Sequence, residues 1–300
     1  MIYMKKIKKL ITIFIAGTMI VSGLIGCGKS EGSTGNIASS NSVSSNGPLT
    51  IEKLKEVGTL VSATEAANEP FEYLDNNEIV GYDVDILKYI CKDMGVELKL
   101  EDLPFQGILA GLEAKKYDMV SAALGVTKER GEKYLLTYPI QEGTTVLIKK
   151  KGNDKIKSVD DMEGKVVGTQ TASYSETDVN TFNDSLKTNG GKGYNELKLY
   201  ATYPEAYMEL KNGRIDLVAQ SVAIANILIK NNPDDYEIVG EVGEKSYTSW
   251  AFRKEDKEVY DFFNEEIHKM KEDGTLKELQ EKWFGAETKD LPEENYIPEK

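Results

Sequence analysis

Arg130 stands three residues after Thr127 in Val126-Thr-Lys-Glu-Arg130. A threonine at a helix start accepts a hydrogen bond from a backbone N–H of the first turn. This spacing therefore sets a guanidinium beside unpaired N–H groups and positive potential. The chemistry it suits is gripping a carboxylate through two parallel bonds, each worth about 1.5–3 kcal/mol. Other reactive side chains are few. Cys91 falls in Val84, Leu87, Ile90, Cys91 and Met94, an apolar stripe at helical spacing that reads as a buried, inert thiol. His268 is the single histidine, on what reads as a solvated helix face, with no metal-ligand spacing and no nucleophile beside it. There is no glycine-rich phosphate loop and no internal repeat. These residues show no metal-site or cofactor-loop pattern, and histidine-based nucleophilic catalysis has one candidate with no visible partner.

The amino-terminal residues predict where it works. Lys5, Lys6, Lys8 and Lys9 precede an apolar run from Leu10 to Ile25, the pattern of an export signal. Leu24-Ile-Gly-Cys27 resembles a bacterial lipobox, which implies a leader over 1–26, cleavage before Cys27 and lipid on its sulfur. Residues 27–48 are mostly Ser, Gly and Asn and bury too little to order themselves, so they read as a tether spanning roughly 25 Å. With Cys27 acylated, Cys91 has no partner for a disulfide.

The chain carries 37 basic and 50 acidic residues, a net charge of −13; losing the leader's four lysines gives −13 − 4 = −17. So acidic a body is a poor partner for nucleic acid or anionic lipid. The stretch from Leu49 onward is long enough for one large domain or two ordinary ones.

Short apolar runs alternate with helical patterns. Strands are expected at 59–63, 96–100 and 117–122, with helices over 83–94, 107–116 and 127–134, a β–α order that argues for parallel sheet flanked by helices. The pattern restarts with strands at 144–148, 165–169, 196–200, 216–219 and 236–240 and helices at 158–162, from 171, and at 204–212. After a strand at 250–253, residues 257–283 read as strongly helical. Val259, Phe262, Phe263, Ile267, Met270, Leu276, Leu279 and Trp283 mark its buried face.

Gly58-Thr-Leu-Val-Ser, Pro70-Phe-Glu-Tyr, Gly81-Tyr-Asp-Val-Asp-Ile, Phe105-x-Gly-Ile-Leu, Val126-Thr-Lys-Glu-Arg130, Gly213-Arg-Ile-Asp216 and Lys282-Trp-Phe-Gly285 occur in this order behind the lipobox. Over Leu49–Ala286 the chain resembles the amino-acid-binding family (family 3) of bacterial periplasmic-type solute-binding proteins, receptor subunits of ABC importers. The resemblance implies an α/β, two-lobed periplasmic-binding-protein type II fold. Each lobe is then a mostly parallel sheet flanked by helices, joined by two hinge segments near 140–143 and 242–247. Lobe 1 would take 49–140 and 247–286, lobe 2 would take 143–242, and 287–300 would be a carboxyl-terminal extension without assigned role. Ligand would lie between the lobes at the carboxyl ends of the strands and populate a closed state that touches both. An ABC permease would read that shape, with the protein a monomer held by lipid on the outer face of the cytoplasmic membrane.

The resemblance assigns Arg130 to the ligand's carboxylate, Phe105 to its side chain and Ser173, on a strand-to-helix turn, to the same carboxylate from lobe 2. Gln170 and Tyr174 would line the same wall. The departures bear on the ligand. The family's ammonium-holding aspartate is Ser221 here, its lobe 1 hydroxyl is Gly125, Ala122 and Ala123 offer only backbone groups, and an aromatic platform is replaced by Asn68. The acid usual in the first strand–helix turn is present as Glu65. Either Glu65 takes over the ammonium, or the ligand is another small carboxylate without one. The alternatives are a small-molecule sensor that serves a membrane receptor, and a cyclic-acid dehydratase on the same scaffold using Glu65.

Overall fold

A computed structural model describes residues 47–294 and 296–298. The leader, Cys27 and all of the tether but its last two residues lie outside them. Helix α1 (Ile51–Val57) starts on a Thr50 cap and leads to β1 (Thr59–Thr64). A three-stranded flap follows, β2 (Ala67–Asn68), β3 (Glu72–Asp75) and β4 (Glu78–Val80). Next come α2 (Tyr82–Met94), β5 (Glu97–Asp102), α3 (Phe105–Glu113), β6 (Met119–Gly125), α4 (Lys128–Lys133), β7 (Tyr134–Leu136) and β8 (Gln141–Glu142). The chain then crosses to β9 (Thr145–Lys150), β10 (Val166–Gln170), α5 (Tyr174–Thr188), β11 (Glu196–Tyr200), α6 (Tyr203–Lys211), β12 (Leu217–Ser221), α7 (Val222–Asn231) and β13 (Tyr236–Glu241). It returns through β14 (Tyr247–Arg253) to α8 (Lys257–Glu272) and α9 (Thr275–Phe284).

Two sheets result, ordered β5-β1-β6-β14-β7 with β8 on β14, and β11-β10-β12-β9-β13. The protein is thus a two-lobed α/β fold with two crossings. Each sheet is mixed. Its β–α units pair in parallel, while β14 and β9, the strands that enter after a crossing, run antiparallel to β6 and β12.

Alternation along the strands builds a core on each face of each sheet. Leu60 packs with α2, α8 and α9, whereas Val61 and Ala63 pack with α3. In the second sheet Val146 and Ile148 face one cluster and Leu147 the other. The predicted single helix over 257–283 is two helices, because Gly274 takes a left-handed φ of 86° that ends α8 and starts α9. Its expected apolar face packs, fully or partly buried, in one cluster. Cys91 is buried, and burial pushes its thiol up to about 12.

Candidate functional site

The carboxyl ends of β1, β6, β10 and β12 and the turns that follow them meet between the sheets. Asn68, Phe105, Ala122, Ala123, Gln170, Ser173, Tyr174 and Ser221 line one cavity there, with Tyr203, Gln220 and Ile224. Its volume is about 20 Å³. So eight of the eleven residues expected from the sequence share one cavity, and Glu65, Gly125 and Arg130 adjoin its walls.

Glu65 follows the end of β1 and is buried. Gln170 Nε2, at the end of β10 in the other sheet, donates to Oε1 at 2.9 Å and Oε2 at 2.7 Å. The Phe105 N–H reaches Oε1 at 3.4 Å and Asn68 Nδ2 reaches Oε2 at 3.3 Å. Burial raises the Glu65 carboxyl above its ordinary range, and the bond from Gln170 draws it part of the way back.

Arg130 sits in the first turn of α4, where its N–H bonds the Thr127 hydroxyl at 3.2 Å, as the sequence predicts. The guanidinium is buried, and burial lowers it to about 10, so it stays charged at neutral pH. It lies 5.8 Å from the Phe105 ring centroid. Nη1 donates to the Gly125 carbonyl at 2.6 Å, and Nη2 crosses to the Ala172 carbonyl in the other lobe at 2.9 Å. Ala172 holds a left-handed φ of 64°, a backbone state that costs a non-glycine residue about 1–2 kcal/mol and that accompanies functional turns. Phe105 therefore stands between a buried acid, which its N–H contacts, and a buried cation, which its ring faces.

Ser173 caps α5, its hydroxyl accepting the Glu176 N–H at 3.2 Å, and its own N–H bonds the Gln170 carbonyl at 3.3 Å. It lines the cavity while serving as a helix cap. Ser221 does the same for α7, accepting the Ile224 N–H at 3.3 Å. Gly125 has a steric reason. A Cβ there would stand 1.9 Å from the Tyr174 ring, so a side chain at this position and the ring exclude each other.

The cavity residues beyond those expected, Tyr203, Gln220 and Ile224, sit on β12 and at the starts of α6 and α7. The signal for Tyr203 was present. Thr202 and Glu205 form a capping box, which marks another strand-to-helix turn at a carboxyl edge. Two further side chains span the sheets. Gln106 Nε2 donates to the Ala201 carbonyl at 2.9 Å, and Asn231 Nδ2 to Glu69 at 3.2 Å. Among the described residues, no group of three or more His, Cys, Asp or Glu side chains is placed to hold a metal ion.

The model of the bacterial extracellular solute-binding proteins, family 3, matches residues 60–286. The L-cystine-binding protein TcyJ of Escherichia coli K12 is 31% identical over 239 residues, 79% of this chain and 86% of that one. The L-cystine-binding protein TcyA of Bacillus subtilis 168 is 30% identical over 284 residues, 93% and 98% of the two chains. An ancestral arginine-binding protein solved with arginine is 37% identical with a TM-score of 0.69, covering 76% of this chain and 99% of its own.

Proposed function

The chain belongs to the bacterial extracellular solute-binding proteins of family 3, and on that premise we propose that it captures an amino acid or related small carboxylate for an ABC importer. Ligand enters the interlobe cleft and the lobes close on it about hinges at 140–143 and 242–247. Lobe 1 is then 49–140 with 247–286, and lobe 2 is 143–242. Lipid on Cys27 holds the protein at the outer face of the cytoplasmic membrane.

The observation that carries the reading is the span of the Arg130 guanidinium from the Gly125 carbonyl in one lobe to the Ala172 carbonyl in the other. A carboxylate seated beside Ser173 takes over those N–H groups, and it brings an opposite charge to a guanidinium that now meets neutral carbonyls. The same anion meets the amino-terminal end of α5. Glu65 supplies the opposite charge, beyond Phe105, for an ammonium or guanidinium at the ligand's other end. The ligand class this suits is elongated, with a carboxylate at one end and a cation at the other, as in arginine and, across its two halves, in cystine.

A thermal-shift screen against amino acids, amines and small carboxylates tests it. A ligand at a hundredfold excess over its Kd stabilises by about 2.7 kcal/mol. No shift from any amino acid or small carboxylate contradicts the proposal. Recovery of a chemically altered ligand after incubation favours the dehydratase instead.

A further inference from the structure

Residues 287–298 lie beyond the stretch that the family model matches. We propose that 287–294 and 296–298 form a strap bracing both crossings and the helix that carries Arg130, with Tyr296 and Ile297 as its positioning residues. The strap leaves α9 at Gly285 and meets the first crossing at once. The Thr288 N–H bonds Gln280 Oε1 at 3.0 Å, and its hydroxyl bonds the Gln141 side chain on β8. Gln280 Nε2 in turn holds the Ile140 carbonyl at 3.2 Å. The second crossing is gripped next. Tyr247 Oη donates to the Asp290 carbonyl at 3.3 Å, and Tyr296 Oη donates to the Lys245 carbonyl at 2.9 Å.

The Tyr296 ring meets the Tyr247 ring edge-on, with centroids 4.9 Å apart, a favourable aromatic geometry. Between these points Lys271 Nζ donates to the Pro292 carbonyl at 2.7 Å, so the strap is also tied to α8. It ends on α4. A Cβ on Gly131 would stand 2.5 Å from Ile297 Cδ1, so Ile297 lies directly over the residue after Arg130. Tyr296 also packs on the cluster that holds Phe105, Val126 and Tyr134. Gly131 thus gives the strap a close seat on the one helix that positions the guanidinium.

The crossings pair with each other through Tyr247 with Glu142 and Thr248 with Gln141, with the Gly143 N–H on the Ser246 carbonyl at 2.8 Å, the Ile140 N–H on the Thr248 carbonyl at 3.0 Å and the Ser246 N–H on Thr144 Oγ1 at 3.3 Å. A segment bonded to both limits how far they twist. It also links that twist to the seating of α4. The consequence for ligand affinity rests on the assignment of Arg130 above; the bracing does not.

Amide hydrogen exchange of the full chain tests the bracing without any ligand. Tyr296→Ala and Ile297→Ala should speed exchange at 127–134 at least fivefold, and Tyr296→Ala also at 243–247. Glu294→Ala should leave both segments unchanged. Tyr296→Phe, which keeps the ring, should restore most of the protection at 127–134. Wild-type rates at these segments in both alanine variants overturn the strap. With L-arginine and L-cystine as probes, Tyr296→Ala should weaken the binding of whichever binds at least threefold. Faster exchange with unchanged affinity overturns the positioning role. Binding of neither probe by the wild type counts against the ligand reading alone, since exchange still decides the strap.

Discussion

Gln170 and Glu65, 105 positions apart in the chain and in different sheets, meet side chain to side chain with Gln170 Nε2 within 2.9 Å of both carboxylate oxygens. The contact joins the lobes at the cleft, beside the Asn68 amide and the Phe105 N–H. The Glu65 carboxyl is thereby kept buried and oriented. Gln170→Ala should leave Glu65 with less compensation for its burial and raise its carboxyl further. Binding of a cationic ligand should then weaken by about tenfold, the effect of losing one bond to a charged group. Titration calorimetry at pH 7 checks this; unchanged affinity removes Glu65 and Gln170 from the site.

Gly125→Ala should block closure. Its methyl would enter the space of the Tyr174 ring, which is itself buried between the lobes. Small-angle scattering with saturating ligand should report a larger radius of gyration than for the wild type, and affinity should fall at least tenfold. The paired change Gly125→Ala with Tyr174→Ala should recover part of the compaction.

Ser221→Asp should strengthen binding of ordinary α-amino acids at least tenfold by giving their ammonium a carboxylate. Aspartate is also a good helix cap, so α7 keeps its start, but a buried charge should lower the melting temperature of the ligand-free protein. Calorimetry against a set of α-amino acids checks the gain. Weaker binding of all of them shows that Ser221 does not face the ammonium.

Asp83 makes stability depend on pH. Burial first of all raises its carboxyl to about 7, while the Trp250 indole N–H, bonded at 2.8 Å, opposes the rise. A carboxyl whose folded pKa lies above its unfolded value stabilises the fold at low pH, and that contribution is lost as pH climbs. The window runs from about 4 to about 7, at no more than about 1.4 kcal/mol per pH unit. Asp83→Asn still accepts from Trp250 and cannot ionise. It should melt above the wild type at pH 8 and close to it at pH 4, by calorimetric scans; an equal difference at both values refutes the assignment.

The strand–helix units were legible because each carries a period, a stop glycine or a cap, and Thr127 with Arg130 was legible because a helix cap is a local event. Eight of the expected residues fell on one cavity because the resemblance marks strand ends and the turns after them, although Ala122 and Ala123 lie within β6 and Asn68 within β2. The antiparallel entry of β9 and β14 was not legible, since strand direction is decided by which sheet the chain returns to. Helix α7 was passed over because Val222-Ala-Ile-Ala-Asn-Ile-Leu-Ile is apolar on nearly every face and shows no helical period. The seat of the Tyr174 ring at Gly125 joins residues 49 positions apart and follows only from how the edges of the two sheets meet. The strap was hidden for the same reason, since its acidic, proline-containing sequence suggests no role until Tyr296 and Ile297 are seen to land.

The most direct measurement is titration calorimetry of the wild type and Arg130→Ala with L-arginine, L-cystine and any solute that the thermal screen selects. Loss of two charge-assisted bonds, about 3–6 kcal/mol, should weaken binding by a factor on the order of a hundred to ten thousand. A bound carboxylate held equally well by both proteins contradicts the account.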